Sequence, residues 1–143
     1  MSKELISKSS VDVGASLSKI WEALVDPEMA KKYFSGAEIV TDWTVGSPIS
    51  FIGEFDGNPY EEKGMLLNVE PNRQLKYTHW SHFDGLPDEP GNYRTWTFDI
   101  DTKKGVTQLS ITEDNIPTEK QKRRSDEFWA DTLLSIKRLV ESK

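Results

Sequence analysis

"IWEALVDPEMAKKYFSG", Ile20 to Gly36, decides the fold. Leu17, Ile20, Trp21, Leu24 and Val25 recur at i, i+3, i+4, i+7 and i+8, one face of a helix, with Ser16 placed to cap it. Pro27 stops that helix, because proline disfavours helical geometry at the residue before it and has no backbone donor. Asp26 can close the first helix and cap a second, with Pro27 at its first position. Met29, Tyr33 and Phe34 then face inward and Gly36 ends the segment. The spacing predicts two short helices that together cover one hydrophobic surface, a lid beside a sheet.

Outward from this break the apolar period changes to two. Ile6 to Val13 is strand-like, and Ala37 to Asp114 reads as antiparallel sheet. Turn signals recur at Val45 to Ser47, Asp56 to Pro59, Glu70 to Arg73 and Thr102 to Gly105. Between them alternation selects a dry face: Ile49, Phe51 and Phe55; Met65, Leu67 and Val69; Leu75 and Tyr77; Trp96, Phe98 and Ile100; Leu109 and Ile111. Glu54, Asn68, Lys76, Asp99 and Ser110 take the wetter face. Thr118 and Gln121 then make a capping-box pattern. Phe128, Trp129, Thr132, Leu133, Ile136, Leu139 and Val140 form the apolar stripe of a long final helix, which passes back through Ser125. Its C-terminal half is expected to dock firmly and its N-terminal half to bring smaller or polar groups to the same surface. The order is β, two short α, six β, long α: an α+β fold whose sheet curls around the last helix.

The chain has 143 residues, 36% hydrophobic and 29% charged, which predicts one domain spanning residues 1–143. No apolar run is long enough to span a membrane, and "MSKELISKSS" lacks the apolar stretch of a signal peptide. There is no cysteine, which excludes disulfides and thiolate chemistry and fits a cytoplasmic setting. A net charge of −6 repels phosphate backbones, so no nucleic-acid partner is expected. "KQKRR", Lys120 to Arg124, is either an anion-binding patch or a solvated first turn, and the solvated turn is preferred.

Four segments, "IWEALVDPE", "DWTVGS", "GMLLNVEPNRQLKYTHW" and "WADTLLSIKRL", resemble bacterial relatives of the activator of the heat-shock protein 90 ATPase, within the START-like, birch-pollen-allergen-like (SRPBCC) superfamily. The resemblance covers nearly the whole chain. It implies a helix-grip fold, β-α-α-β6-α, with a cavity between sheet and long helix, and a stress-response or chaperone-associated role as one option. Ser47 stands where the family usually has a second glycine. Phe128 stands where a small residue usually precedes the tryptophan, and a phenylalanine there is expected to fill cavity space.

Tyr33, Phe34, Phe51, Met65, Tyr77, His79, Trp96, Ser125 and Trp129 are the candidate ligand-binding residues. The alternative for each aromatic is plain core. His79, Arg94 and Glu113 continue inward phases and are weak catalytic candidates, a proton-transfer or carboxylate-binding cluster. The plainer and preferred reading puts them at strand ends, where inward phase no longer means burial. His79 and His82 fall on opposite faces of a strand, so no metal is expected, and no cofactor. The loop Asp84 to Tyr93 is either a gate or, as preferred, a stiff hairpin connection. The leading expectation is a non-enzymatic module, monomer or weak dimer, that binds a small apolar molecule. The alternatives are a cyclase- or hydratase-type enzyme using the polar cluster, and a chaperone-associated interaction domain.

Overall fold

The computed structural model describes residues 5–142; residues 1–4, where the segment read as lacking a signal sequence begins, lie outside them. The elements follow the predicted order: β1 (Leu5–Val13), α1 (Leu17–Val25), α2 (Pro27–Tyr33), β2 (Glu38–Val40), β3 (Pro48–Phe55), β4 (Asn58–Glu70), β5 (Gln74–His79), β6 (Arg94–Lys103), β7 (Val106–Ile116) and α3 (Glu119–Glu141). Short 3-10 turns occupy His82–Asp84 and Pro90–Asn92 in the β5–β6 connection.

The caps explain the first bend. The Ser16 hydroxyl accepts from the Lys19 amide at 3.2 Å, which satisfies an orphan donor at the start of α1. The Asp26 amide donates to the Glu22 carbonyl and closes α1, while its carboxylate accepts from the Glu28 amide at 2.9 Å and opens α2. One residue thus serves two helices, and the chain turns with no intervening loop. The Tyr33 hydroxyl donates to the Ala23 carbonyl at 2.8 Å and ties α2 back to α1. Its burial, with a smaller contribution from nearby Asp26, pushes the phenol well above its ordinary value.

All seven strands form one antiparallel sheet in the order β1-β7-β6-β5-β4-β3-β2. The sheet curves around α3, which buries Ser125, Trp129, Thr132, Leu133, Ile136 and Val140. The two short helices close one side. Ile20, Leu24, Leu66, Leu75, Tyr77, Phe98, Leu109, Ile111, Trp129 and Leu133 belong to one core between sheet and helices.

Alternation holds on β5, β6 and β7, where Leu75, Tyr77, Trp96, Phe98, Ile100, Leu109 and Ile111 are all buried. On β4 the expected phase is wrong. Leu66 is fully buried, whereas Met65 is 49% exposed and Leu67 is also exposed. The register against β5 shifts between Leu66 and Asn68, and a bulge there returns Val69 to the core side. Upstream of the bulge the inward residues are Tyr60, Glu62, Gly64 and Leu66. Phe55 is also exposed, because the end of β3 runs beyond the core.

Candidate functional site

A cavity of about 350 Å³ opens between the N-terminal half of α3, the end of α2 and the inner faces of β3 to β7. Phe34, Phe51, Trp96 and Phe128 form its aromatic side. The Phe34 ring centroid lies 6.0 Å from that of Phe51, 6.1 Å from that of Trp96 and 6.3 Å from that of Phe128. The Phe34 and Phe128 planes are parallel to within 2°. Phe128, expected to fill the interior, is instead 41% exposed and stands at the mouth. Tyr60 and Phe83 extend the aromatic rim, their rings edge-on at 5.5 Å.

The polar side starts from strand register. His79 lies opposite Arg94 on β5 and β6, and Trp96 lies opposite Glu113 on β6 and β7. His79 and Arg94 are the terminal residues of their strands and Glu113 lies near the end of β7, yet all three are buried. His79 is 5% exposed, Arg94 6% and Glu113 3%, which overturns the reading that put them at open strand ends.

Glu113 is the hub. One carboxylate oxygen accepts from Arg94 Nη1 at 3.0 Å and from the Trp96 indole at 3.1 Å. The other accepts from the Trp129 indole at 2.8 Å. Arg94 Nη2 also donates to the Gln121 side chain and lies 3.4 Å from the Asp84 carboxylate. The Gln121 amide donates to the Asp84 carbonyl at 3.3 Å, so α3 is stitched to the β5–β6 connection. Burial pushes the Asp84 carboxyl up, and the neighbouring Arg94 charge only partly offsets it. Arg94 and Glu113 are thus occupied by protein partners. Their arrangement holds two strands, a helix and the β5–β6 connection together more directly than it offers a reactive group.

A second cluster faces the cavity from β4 and β5. His79 Nε2 lies 3.1 Å from one Glu62 oxygen, and the Ser81 hydroxyl donates to the other at 2.7 Å. Burial alone would raise the Glu62 carboxyl, but the His79 hydrogen bond and charge, with the Ser81 hydroxyl, hold it below its ordinary range. The His79 ring stacks on Trp96 at 3.8 Å and 16°, and Phe51 meets it at 5.2 Å, steeply inclined. Arg124 also lines the cavity; it is exposed and makes no ion pair among the described residues, so the basic run of α3 is solvated and one of its members borders the cavity.

Of the candidate ligand-binding residues, Phe34, Phe51, His79, Trp96 and Ser125 line the cavity. Tyr33, Tyr77 and Trp129 are buried behind it as core. Met65 is a correction: the β4 phase places it on the outer face of the sheet. Ser35, Glu62, Ser81 and Gln121 are polar lining that sequence reasoning did not place, while Asp84 and Arg124 entered it only within the possible gate and the possible anion patch. Gly64, in mid-strand, was the available signal for Glu62. The loop after Asp84 is held by its own hydrogen bonds. The Trp80 indole donates to the Leu86 carbonyl, the Asn92 amide to the Pro87 carbonyl and the Tyr93 hydroxyl to Asp88.

The family model described as activator of Hsp90 ATPase homolog 1-like protein matches residues 14–141. The chain belongs to this family. Among solved structures, the chain is similar to ChR145 from Cytophaga hutchinsonii. That protein is 37% identical, with 99% of this chain and 97% of that one covered and a TM-score of 0.85. The Aha1 dimer from Colwellia psychrerythraea is 23% identical over 96% of each chain, with a TM-score of 0.75. DynU16, from the dynemicin biosynthetic locus, is 20% identical over 96% of this chain and 47% of its own, with a TM-score of 0.75. The last two likenesses establish the shared helix-grip fold and nothing finer. No match is found among curated proteins. No helix among the described residues is long and apolar enough to cross a membrane.

Proposed function

We propose that this member of the family binds a small, flat, largely apolar molecule in the cavity between the sheet and α3. One observation carries the reading: Phe34 packs at 6.0–6.3 Å against Phe51, Trp96 and Phe128, and the four rings form a continuous aromatic wall along about 350 Å³ of open space. That volume sits near the small end of the ~300–1,000 Å³ typical of ligand pockets. It suits a molecule of two or three fused rings or a short branched chain. A flat ring would lie against this aromatic wall, gaining burial without ordering a flexible ligand.

Titration of tryptophan fluorescence with fused-ring aromatics, polyketide-like aromatics and short lipids tests this, because Trp96 lines the cavity. A binder present at ~100-fold its Kd should stabilise the fold by about 2.7 kcal/mol. Ser125 points into the cavity from α3 and is largely buried, so Ser125→Phe should fill the space and weaken binding at least about tenfold, a loss of ~1.4 kcal/mol. A ligand that binds Ser125→Phe as well as it binds the native chain would place its site elsewhere and overturn the reading.

A further inference from the structure

We propose that His79, held by Glu62, accepts the proton of a weakly acidic hydroxyl, a phenol or an enol, on the molecule in the cavity. The inference rests on the cavity being the ligand site and adds the chemical class of what enters it.

Both Glu62 oxygens are committed, one to His79 Nε2 at 3.1 Å and the other to the Ser81 hydroxyl at 2.7 Å. A carboxylate against Nε2 fixes the proton of the neutral imidazole on that nitrogen and leaves the lone pair on Nδ1. No hydrogen bond reaches Nδ1 among the described residues, and none of their buried side-chain nitrogens or oxygens lacks a partner. Nδ1 therefore opens on the cavity that the ring lines. Trp96 beneath the ring and Phe51 beside it fix its plane, so a flat ligand is met by an acceptor of fixed direction.

The other charged groups around the cavity do not compete for this role. Arg94 and Glu113 are spent on each other and on the two indoles, and Asp84 lies beside Arg94. Arg124, on α3, faces the same space without an ion-pair partner among the described residues. In the transfer the ligand O–H bond breaks and an Nδ1–H bond forms. The imidazolium keeps its bond to the Glu62 carboxylate, and the electron pair stays on the ligand oxygen. The resulting phenolate or enolate is balanced by the imidazolium. A purely apolar pocket has no use for a carboxylate–histidine pair on its wall.

The probes are 7-hydroxycoumarin and its methyl ether, 7-methoxycoumarin, which match in shape and differ in the acidic proton. At a pH where free 7-hydroxycoumarin is neutral, the bound probe should show the excitation band of its anion. It should also bind about tenfold more tightly than the ether, as expected for a charge-assisted hydrogen bond. Glu62→Gln and, separately, His79→Gln should remove the anion band and reduce the preference to about twofold or less. Equal affinity for the two probes, or a neutral spectrum for the bound phenol, would overturn this inference and leave apolar ligand binding standing. A preference that survives Glu62→Gln would overturn the role of the pair. Failure of both probes to bind the native chain would count against both readings together.

Discussion

Removing the Glu113 carboxylate tests whether the buried polar hub is integral to the fold. Glu113→Ala leaves the Trp96 and Trp129 indoles without the acceptor they now reach at 3.1 and 2.8 Å. It also leaves Arg94 with Asp84 at 3.4 Å as its remaining anion. Breaking a buried ion pair from one side costs about 3–5 kcal/mol, and each orphaned buried donor about 1–3 kcal/mol. These costs overlap, because water can enter from the adjoining cavity and Asp84 still screens the guanidinium. The expected loss is therefore at the lower end, about 3–4 kcal/mol. With a urea m-value of about 2 kcal/mol/M, the unfolding midpoint should fall by about 1.5–2 M.

Urea unfolding followed by tryptophan fluorescence and by far-UV circular dichroism reads this directly. A companion double variant separates charge from packing. Glu113→Gln keeps the shape but sets an amide donor against Arg94 and Trp96. Adding Arg94→Met should then recover at least about 1 kcal/mol, because the burial penalty belongs to the unpaired guanidinium. A Glu113→Ala protein within about 1 kcal/mol of the native stability would refute the reasoning. So would an Arg94→Met change that costs as much in the Glu113→Gln background as in the native chain.

Two further outcomes follow from the β4–β5 region and the cavity carboxylates. A Cβ at Gly64 would lie 1.7 Å from the Thr78 carbonyl oxygen, so Gly64→Ala should force β4 and β5 apart and cost about 3 kcal/mol, read as a lowered thermal midpoint. The carboxylates should pull the pH dependence of stability in opposite directions. Glu62 is held below its ordinary 4.5, so its contribution is full above that value and is lost as pH falls through the lowered one. Asp84 is raised above its ordinary 3.8, so its charge costs stability at neutral pH and the cost is relieved as pH falls through the raised value. In urea titrations across the carboxylate range, stability should rise less steeply with pH in Glu62→Gln and more steeply in Asp84→Asn. The same slope in both variants would contradict the assigned shifts.

What was legible in the sequence is what local chemistry dictates. Ser16, Asp26 and Thr118 cap helices through bonds to amides within three residues, so α1, α2 and α3 start as predicted. Period two carries the inward faces of β5, β6 and β7, and it brought His79, Arg94, Trp96 and Glu113 to one side before any coordinates. Their burial was not legible. It depends on how far α3 and the β5–β6 connection reach over the strand ends, a long-range matter to which sequence spacing is blind. Phe128 was misjudged for the same reason: the stripe includes it, but the lie of α3 against the sheet carries it to the mouth.

The failure on β4 has a single cause with a chemical consequence. "GMLLNV" offers apolar residues on both phases, and Met65-Leu67-Val69 is the longer alternating set. The bulge lets Leu66 and Val69 both serve the core, which one fixed phase forbids. The wrong phase leaves Glu62 on the outer face, so His79 was grouped with Arg94 and Glu113 and not with the carboxylate it meets. Gly64 held the correction. A glycine inside a strand marks a bulge or a close backbone approach, and here the Thr78 carbonyl occupies the space a side chain would take. Glu62 and Leu66 share the phase of Gly64, and that phase turns Glu62 to the side of the sheet where it meets His79.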